Sequence, residues 1–580
     1  MEVSREQYDV VIIGSGGAGL RAALAAAERG VRPVILTKGQ PQWSGGTLSA
    51  HYSFCAVLPT AAFGDSPEVF ARDILRSGEG ISDPKLVRVL AERSGEAVAY
   101  AQRLGVKFDP AGDDPGVPHL GWLAGHTYPR AVHVGNAVGR ELIRVLLKAV
   151  RKARIPIHAF TSATDLVVED GELCGVAAYH IPSGELRIYE APAVILATGG
   201  GSQIYELNTN PVEATGDGYG IALRAGAELM DMEFVQFYPT VFVTPAGARG
   251  LMFNSGILVP KGARLLNRFG EDFWDRYGAG PLKDATRDVM TRVMSQEIAA
   301  GGGTERGGLY ITVRGLDPRE LPQLQQKLLE DVGVDPNAQE HEVAPGAHYF
   351  MGGIRIDEEA ATKLPGLYAA GECTGGIHGA NRLAGNALSE NQVFGAIAGQ
   401  SAAQHALRQA RRAGQAGQTG RLRADAKTAA RVLEPVRELI SRTRARAAGT
   451  TGDVMSPGEG WQAVRSVMQR CVGATRTEEQ LKEAIAVLED LRDNGIRRLT
   501  GRDSALPYNR DISRALDLRN MIDTGWSVAV AALERRESRG AHVRLDAPER
   551  DEAWTCSLAV RLSNGQADLR KNPRGEVKDG

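Results

Sequence analysis

The segment spanning residues 8–38 constrains the fold more than any other part of the chain. An apolar run at Val10–Ile13 leads directly into a glycine-rich turn, and an alanine-rich stretch of strong helix formers follows. Gly30 ends that stretch, and a second apolar run lies at Val34–Leu36. This order predicts a strand, a tight turn, a helix and a second strand, in the length of one βαβ unit. We therefore predict a Rossmann-like dinucleotide-binding unit at the start of the chain.

The glycines of this turn have separate expected roles. Gly14 makes the turn, Gly16 lets the backbone approach a pyrophosphate, and Gly19 lets the helix pack closely on the strand. The pyrophosphate would lie at the helix N-terminus, where free N–H groups and the helix dipole favour an anion. The second strand ends in Thr37 and Lys38, not in the acidic residue that usually binds a ribose. The segment alone therefore does not distinguish FAD from NAD.

The composition is that of a globular protein with several domains. A chain of 580 residues is long enough for about two to four domains. Its net charge is −2 and it has no long basic run, so nucleic acid is not an expected partner. We find no uninterrupted apolar segment of membrane-spanning length, and the first strand begins too early to leave room for a signal peptide. These features predict a cytoplasmic protein.

The cysteines are scattered and contain no CxxC motif, which excludes an iron–sulfur or zinc framework carried by this chain alone. No metal site is expected. Their odd number and wide spacing fit a reducing compartment, and most are expected to be buried small hydrophobic residues. The five positions are Cys55, Cys174, Cys373, Cys471 and Cys556.

Further glycine-rich stretches offer backbone surfaces for a cofactor. The small-residue loop at 44–47 would let a flat ring system approach the backbone, and an apolar strand runs into Thr198-Gly199-Gly200. Asp217 lies between glycines at the start of a helix, where it either caps the helix or contacts a cofactor. Glu372 follows another apolar strand and a glycine, and an unpaired carboxylate there would be costly. We therefore expect Glu372 to contact the cofactor.

The remaining pattern divides the chain into regions. Residues 155–196 predict a β-meander, and residues 242–344 break the α/β rhythm and are interpreted as an inserted domain. The polar, Gly-rich segment 408–425 predicts a linker. Residues 426–538 have a helical pattern throughout, and the polar tail after Asn564 is expected to be disordered.

Three motifs, together with the βαβ unit, resemble one family. They are AHYFMGG at 347–353, HGANR at 378–382, and ESRGAH at 537–542 followed by PERD at 548–551. They resemble the flavoprotein subunit of succinate dehydrogenase and fumarate reductase, of which L-aspartate oxidase is a close relative. The resemblance extends from about residue 6 to about residue 561.

The resemblance implies an α/β fold in which a Rossmann-like FAD-binding domain is interrupted by a mobile α+β capping domain and followed by a C-terminal helical domain. The implied boundaries are 1–241 and 345–425 for the FAD-binding domain, 242–344 for the capping domain, and 426–580 for the helical domain and tail. It also implies bound FAD. The expected contacts are Gly14, Ser15, Gly16, Gly17, Ala18, Gly19, Thr37, Lys38, Ser44, Gly45, Gly46, Thr47, Thr198, Gly199, Asp217, Glu372, Ala387 and Leu388.

The resemblance also implies a cleft that holds a small dicarboxylate against the flavin. A hydride passes between flavin N5 and one carbon, and a proton passes between an arginine and the neighbouring carbon. Arg382 is the expected bidentate carboxylate ligand and His348 a second donor. Arg287 matches the proton-shuttling arginine, although it could instead form a structural ion pair with Asp288. The alternative for His348 is a hydrogen-bonded core histidine, and His378 could equally be structural or line the cleft.

The chain departs from the family pattern beside the expected flavin ring. Succinate dehydrogenases usually attach FAD to a histidine where this chain has Gly46, so we predict non-covalent FAD. In the family, loss of that bond tends to lower the flavin potential, which favours reduction of a double bond. The segment 50–53, Ala-His-Tyr-Ser, is bulkier than the usual sequence.

Other departures concern the substrate. The family's substrate-contacting histidine is replaced by Tyr238, which can donate a hydrogen bond but is uncharged at neutral pH. The family's Thr-Glu-Gly is absent, and either Thr244-Pro245-Ala246 or Ser255-Gly256 takes its place. We therefore expect that the protein binds one carboxylate of its substrate. The other end of the substrate is expected to be larger or less acidic than the second carboxylate end of fumarate.

The leading functional prediction is an FAD-dependent oxidoreductase acting on a C=C or CH–CH bond of a small carboxylate. Electrons would be exchanged through an iron–sulfur partner subunit, which would also provide any attachment to a membrane. One alternative is a stand-alone flavoenzyme similar to L-aspartate oxidase. Another is a non-catalytic FAD-binding subunit of a larger complex.

Overall fold

The computed structural model describes residues 3–50, 53–59, 64–112, 114–317, 330–333, 340–415, 425–445, 454–563 and 565–573. The bulky positions His51 and Tyr52, and most of the second half of the expected linker, lie outside these residues. Within the described residues, no helix combines the length and the apolar character needed to cross a bilayer.

The described strands and helices are as follows. The strands are β1 (Val3–Gln7), β2 (Val10–Ile13), β3 (Pro33–Leu36), β4 (Phe54–Cys55), β5 (Pro110–Ala111), β6 (Asp114–Pro118), β7 (Ala131–Val132), β8 (Ile157–His158), β9 (Thr161–Glu169), β10 (Glu172–His180), β11 (Glu185–Glu190), β12 (Ala193–Leu196), β13 (Leu229–Met230), β14 (Val235–Phe242), β15 (Arg264–Leu266), β16 (Leu309–Thr312), β17 (His341–Phe350), β18 (Gly353–Arg355), β19 (Leu367–Ala369), β20 (Thr374–Gly375), β21 (Cys556–Ser563) and β22 (Gln566–Pro573). The α-helices are α1 (Gly17–Ala27), α2 (Pro67–Ser77), α3 (Pro84–Leu104), α4 (Val138–Lys152), α5 (Asp217–Arg224), α6 (Ser255–Leu258), α7 (Arg287–Glu297), α8 (Asn386–Gln415), α9 (Ala426–Ala445), α10 (Pro457–Cys471), α11 (Glu478–Asp490) and α12 (Arg510–Glu534).

The predicted βαβ unit forms the centre of a five-stranded parallel sheet with strand order β19-β12-β2-β3-β8. Val11 on β2 lies opposite Val34 on β3 and Val194 on β12, and all three are fully buried. Helix α1 starts at Gly17, after the turn of residues 14–16 that follows β2, and is buried over nearly its whole length because α8 covers its outer side. The carboxyl ends of β2, β12 and β19 therefore meet at one edge of the sheet, where parallel α/β sheets bind ligands.

Of the predicted meander, β9, β10 and β11 form an antiparallel sheet, to which β1 is added parallel to β11. The first and last strands of the predicted span, β8 and β12, belong instead to the parallel sheet. The first tight turn of the meander is at Asp170-Gly171, where both residues have positive φ.

A separate sheet and core lie in the segment interpreted as an inserted domain. The sheet has the order β14-β17-β16-β15, and helix α7 packs beside β14. A separate hydrophobic cluster is built from residues between Phe242 and Val343, including Trp274, Met294 and Ile311. β14 and β17 connect this region to that of the five-stranded parallel sheet, and their residues Tyr238 and His348 face the cleft between the two.

The C-terminal region is helical from α9 to α12, but two expectations about its ends are wrong. Residues 408–415 of the expected linker continue helix α8. The tail is also ordered over 565–573, where β22 pairs antiparallel with β21. Ser563 lies opposite Gln566, and the intervening sequence, Asn-Gly, is a strong hairpin signal that outweighs the polarity of the strand.

Candidate active site

One cavity of about 510 Å³ connects the glycine-rich turn after β2 to the cleft beside β14 and β17. Every position expected to contact FAD lines this cavity, except Gly19. All four expected substrate-side residues line it as well: Tyr238, Arg287, His348 and Arg382. The structure thus brings together residues that are more than 350 positions apart in the chain.

The glycine-rich turn has the shape required to hold a pyrophosphate. Gly14 has φ +114°, and a Cβ there would lie 2.1 Å from the carbonyl oxygen of Ala197. A Cβ at Gly19 would lie 2.0 Å from the carbonyl oxygen of Gly14, so Gly19 allows α1 to cross β2 closely and does not reach the cavity. At Gly16 the nearest atom to an added Cβ is 3.8 Å away. Space is therefore left open at Gly16, at the N-terminus of α1, where a cofactor phosphate fits.

The end of β3 is tied to the C-terminal helices. The ammonium group of Lys38 donates to Thr215 Oγ1 at 2.5 Å and pairs with Asp217 at 2.9 Å and Asp517 at 3.0 Å. These three contacts use all three donors of Lys38. Gly216 is the N-cap residue of α5, and the Asp217 carboxylate lies in the first helical turn. Lys38 and Asp217 thus form a cavity wall and at the same time a partly buried cross-link between distant parts of the chain.

Glu372 lies where the strand β19 ends at the cavity. Its Oε1 accepts a hydrogen bond from the backbone N–H of Phe350 at 3.1 Å. Burial raises the pKa of the Glu372 carboxyl to about 7. The side chain fills the space above Gly200, where an added Cβ would lie 2.2 Å from Oε1.

Arg382 is a buried guanidinium that protein groups satisfy only in part. Its Nη2 donates to Gln236 Oε1 at 2.9 Å, and its Cζ lies 4.2 Å from the centre of the Tyr349 ring. Its Nε has no hydrogen-bond partner among the described residues. Burial, together with the charge of Arg287, lowers the pKa of Arg382 to about 10, so the group remains a cation at neutral pH. A buried cation with an unused donor is suited to bind a carboxylate.

His348 faces the same part of the cavity as a neutral ring. Burial and the charges of Arg287 and Arg382 hold its pKa well below the usual range. Its Nδ1 lies 2.8 Å from Thr209 Oγ1. If the Thr209 hydroxyl donates to Nδ1, the ring proton is on Nε2 and can be donated to a ligand.

Arg287 is the first residue of α7, and two contacts hold this helix on β14. Thr291, one turn further along, donates to the carbonyl oxygen of Phe237 at 3.3 Å. The Arg287 guanidinium lies 5.1 Å from the centre of the Tyr238 ring. Asp288 accepts a hydrogen bond from Asn381 Nδ2 at 3.1 Å, and no Arg287–Asp288 ion pair is found among the described residues.

Tyr238 is buried beside both cationic and neutral groups. Its ring centre is 5.6 Å from that of His348. Burial raises the pKa of Tyr238, although Arg287 and the Ser255 hydroxyl act in the opposite direction. The phenol is therefore uncharged and can act as a hydrogen-bond donor.

His378 does not line the cavity. It is buried against Glu390, with Nε2 2.8 Å from Oε2, and Glu390 also accepts from Tyr349 at 2.6 Å and Thr374 at 3.0 Å. Of the two interpretations of His378, the placement favours the structural one.

Several residues on the cavity wall were not expected from the sequence: Arg140, Thr209, Asn210, Leu251, Met252, Asn254 and Asn391. The polar run Asn208-Thr209-Asn210 before Pro211 was the available signal for two of them. Two segments were considered as replacements for the family's Thr-Glu-Gly. Residues immediately before Ser255 line the cavity, which favours the segment at Ser255-Gly256. Thr244, in the other segment, donates its hydroxyl to Glu342 at 3.1 Å.

Comparisons with known proteins agree with this geometry. The family model of the FAD binding domain matches residues 9–388, and that of the fumarate reductase flavoprotein C-terminal region matches residues 461–574. A relative from Methanothermobacter marburgensis, one of the subunits of the fumarate reductase (CoM/CoB), is 37% identical and covers 97% of this chain and 98% of its own length. An L-aspartate oxidase from Synechocystis is 32% identical, with 96% of this chain and 97% of the relative covered.

Among solved structures, Mycobacterium smegmatis Sdh1 in complex with UQ1 has a TM-score of 0.88 and 33% identity. The match covers 99% of this chain and 95% of that one. The chain therefore carries an FAD-binding domain and belongs to the fumarate reductase and succinate dehydrogenase flavoprotein family, the FAD-dependent oxidoreductases that act on CH–CH groups.

Proposed function

We propose that this protein reduces the C=C bond of a small carboxylate, using non-covalent FAD and electrons delivered by an iron–sulfur protein. The observation that supports this most strongly is the buried Arg382 guanidinium with an unused Nε, at the same end of the cofactor cavity as Arg287 and His348. When bound, FAD supplies the two-electron hydride chemistry of the family.

In this proposal the protein binds and orients the substrate through one carboxylate. Arg382 binds that carboxylate, and the neutral His348 ring donates a further hydrogen bond from Nε2. Pairing with a cation withdraws electron density from the conjugated double bond, and burial of Arg382 keeps water from weakening the interaction. Binding also fixes the position of the double bond relative to the hydride donor and the proton donor. The reaction then takes place within one complex and needs no separate encounter of the three groups.

Arg287 is the proposed source of the proton. Arg287 lies at the start of α7 without a carboxylate partner among the described residues, and the Tyr238 ring limits where its guanidinium can move. A guanidinium in this position can donate a proton to the carbon next to the one that receives the hydride. It then regains its proton from solvent or from neighbouring polar groups.

The attachment of the cofactor is proposed to be non-covalent because Gly46 carries no side chain that could bond to the flavin. An added Cβ there has no neighbour nearer than Asn210 Oδ1 at 3.9 Å, so the site has room but no reactive group at this position. Acid precipitation of the purified protein should release the yellow cofactor into the supernatant. Colour retained in the pellet would contradict non-covalent binding.

The partner is proposed to be an iron–sulfur protein because all five cysteines are unpaired, buried and distant in sequence. Purification from the native host under anaerobic conditions should recover this chain together with a protein that contains iron and sulfide. Residues 242–344, with their own hydrophobic cluster, are proposed to be the capping domain that covers the substrate.

The test of the activity uses the holoenzyme with reduced benzyl viologen as electron donor and a set of enoates as acceptors. At least one enoate should oxidise the viologen, and Arg287→Ala should remove this turnover while FAD stays bound. Unchanged turnover in Arg287→Ala would contradict the role of Arg287. Peroxide formation with L-aspartate by the isolated chain would instead favour the L-aspartate oxidase alternative.

A further inference from the structure

The wall that faces the substrate cleft changes character at Tyr238. The Tyr238 ring lies beside the Arg287 guanidinium and the His348 ring, as described above. The same residue also belongs to a buried apolar cluster with Leu207 and Val241, which packs against Met252. Tyr238 therefore forms the boundary between a cationic and an apolar part of the wall.

The apolar part of the wall is held in place by the backbone. Residues 250–253 run antiparallel to the end of β14, and Val241 forms a β-bridge with Met252. The N–H of Phe242 donates to the carbonyl oxygen of Leu251 at 2.9 Å, and the N–H of Phe253 donates to that of Thr240 at 2.7 Å. Leu251 and Met252 consequently line the cavity from a fixed segment, with Met252 packed against the Tyr238 cluster and Leu251 against the hydrophobic cluster of residues 242–343.

Within the described part of the chain, the charged residues that line the cavity lie outside the segment of Leu251 and Met252. Lys38, Asp217 and Glu213 lie at the end of the cavity near β3, where Glu213 accepts a hydrogen bond from Ser44 at 3.2 Å. Arg140 follows Gly139, whose position is packed against the backbone of Thr47 and Ala50. Glu372 lies at β19, and Arg287 and Arg382 belong to the cationic part of the wall.

We propose that Tyr238, Leu251 and Met252 form a subsite for an uncharged apolar group on the substrate. This inference rests on the proposed function, in which Arg382 binds the single carboxylate. The substrate class is then an α,β-unsaturated monocarboxylate with an alkyl or aryl group on the β-carbon. A second carboxylate placed against Leu251 and Met252 would lose its hydration on apolar side chains, which is unfavourable. Arg287, the cation beside Tyr238, is the proton donor in the proposed function.

The reaction of such a substrate balances with the groups named. The C=C π bond is lost, the carbon that bears the apolar group gains a hydride, and the carbon beside the carboxylate gains a proton from Arg287. Two electrons and two protons thus convert the enoate to the saturated acid. In the assay, reduced benzyl viologen supplies both electrons.

The first experiment compares fumarate with but-2-enoate, pent-2-enoate and cinnamate, all as trans isomers, as acceptors for the holoenzyme. At least one of the three monocarboxylates should have a kcat/KM about tenfold or more above that of fumarate, the range expected for discrimination in an apolar pocket. A higher kcat/KM for fumarate would overturn the apolar subsite and leave the proposed function standing. Reduction of none of the four acceptors would overturn the proposed function and with it this inference.

The second experiment alters the subsite. Met252→Lys places a cation on the wall and should shift the ratio of kcat/KM values, fumarate over pent-2-enoate, toward fumarate by about tenfold. Tyr238→His introduces a group that can be protonated at the same boundary and should shift the ratio in the same direction, which keeps the test valid if one variant fails to fold. Phe269→Lys adds the same charge at an exposed position and should leave the ratio unchanged.

A binding measurement completes the test without turnover. Titration of the oxidised holoenzyme with pentanoate and with succinate, followed by the flavin absorbance, should give tighter binding of pentanoate in the wild type. Met252→Lys should reverse this preference. Equal shifts for both ligands in Met252→Lys would overturn the assignment of Met252 to the subsite.

Discussion

Arg382 is a buried and Glu372 a partly buried ionisable group, and protein partners do not fully satisfy either. The guanidinium of Arg382 has an unused Nε, and the carboxyl of Glu372 accepts one backbone hydrogen bond. Groups of this kind destabilise the unliganded protein, so they are found mainly where a ligand completes them. Arg382 lies at the substrate end of the cavity, which is consistent with a contact to the substrate. Glu372 lies at the end of β19, which is consistent with a contact to the cofactor.

At the residue scale, Arg382→Lys tests the need for a bidentate donor. Lysine keeps the positive charge but loses the planar pair of N–H groups, so kcat/KM for the best enoate should fall by about a hundredfold. Steady-state kinetics of the holoenzyme measure this fall. Arg355→Lys, which alters a partly exposed pair with Glu228, is the matched control and should have little effect. An Arg382→Lys enzyme as active as the control would contradict carboxylate binding by Arg382.

The raised pKa of Glu372 makes a prediction about stability and pH. Because the folded-state pKa of about 7 is above the usual value of 4.5, the native protein retains a proton between these pH values that the unfolded chain has lost. The resulting contribution to stability is present below about pH 4.5 and is lost as the pH rises through 7. Glu372→Gln mimics the protonated form and should stabilise the apoprotein by about 1–3 kcal/mol at pH 8.

Urea unfolding at pH 5 and pH 8 measures this effect, and the difference between variant and wild type should be smaller at pH 5. Glu358→Gln, at an exposed position, is the control. A difference independent of pH would show that the ionisation of Glu372 is not its cause.

The sequence located part of the site at this scale. Arg382 and His348 were predicted because each lies in a short continuous sequence motif, and both residues line the cavity. Met252 belongs to no such motif, and Thr209 only to a short polar run. Met252 is placed by its bridge to Val241, and Thr209 by its hydrogen bond to His348. Contacts of this kind depend on the path of two distant segments, which local patterns do not specify.

At the element scale, the crossing of α1 over β2 is controlled by two glycines with different surroundings. The position of Gly19 is blocked by the backbone of Gly14, whereas Gly16 has open space and an extended backbone that alanine can adopt (φ −73°, ψ −175°). The two substitutions to alanine should therefore separate folding from cofactor binding.

Gly19→Ala should lower the stability of the apoprotein by about 1–3 kcal/mol, because the added methyl forces the helix away from the strand. Gly16→Ala should leave apoprotein stability nearly unchanged but weaken FAD binding by about tenfold or more, since the methyl occupies the space for the pyrophosphate. Thermal unfolding and FAD fluorescence quenching measure the two effects. Similar FAD affinity in Gly16→Ala and wild type would contradict placement of the pyrophosphate at this turn.

Elements with a strong local pattern were predictable, and those with a mixed pattern were not. The βαβ unit and the meander follow from periodicity and turn residues. β22 was missed because most of its residues are polar, and only the Asn-Gly pair before it in the sequence marked it as part of a hairpin.

At the scale of the whole molecule, the described fold is held together by contacts between segments far apart in sequence. One sheet combines β13, β18 and β20 with β21 and β22 from the C-terminal region. The Lys38 ammonium connects β3 to α5 and α12 through Asp217 and Asp517. Domain boundaries drawn along the sequence cannot include such connections, and the boundaries at 242, 345 and 426 remain predictions.

Lys38→Met tests this connection. It leaves two carboxylates buried without their cation, which should lower the free energy of unfolding by about 3–5 kcal/mol. Urea unfolding of the holoenzyme measures the loss. Lys482→Met removes an exposed pair with Glu478 on α11 and should cost about 1 kcal/mol or less. Equal effects of the two substitutions would contradict a structural role for the Lys38 cluster.

The most direct test of the account is a single-turnover experiment on the reduced holoenzyme. Fully reduced protein is mixed anaerobically with a carboxylate-bearing enoate, and the return of the oxidised flavin absorbance is followed with time. We expect rapid re-oxidation in the wild type, and re-oxidation slower by about a thousandfold in Arg287→Ala with FAD still bound. Flavin that stays reduced with every enoate, or equal rates in the wild type and Arg287→Ala, would contradict the account.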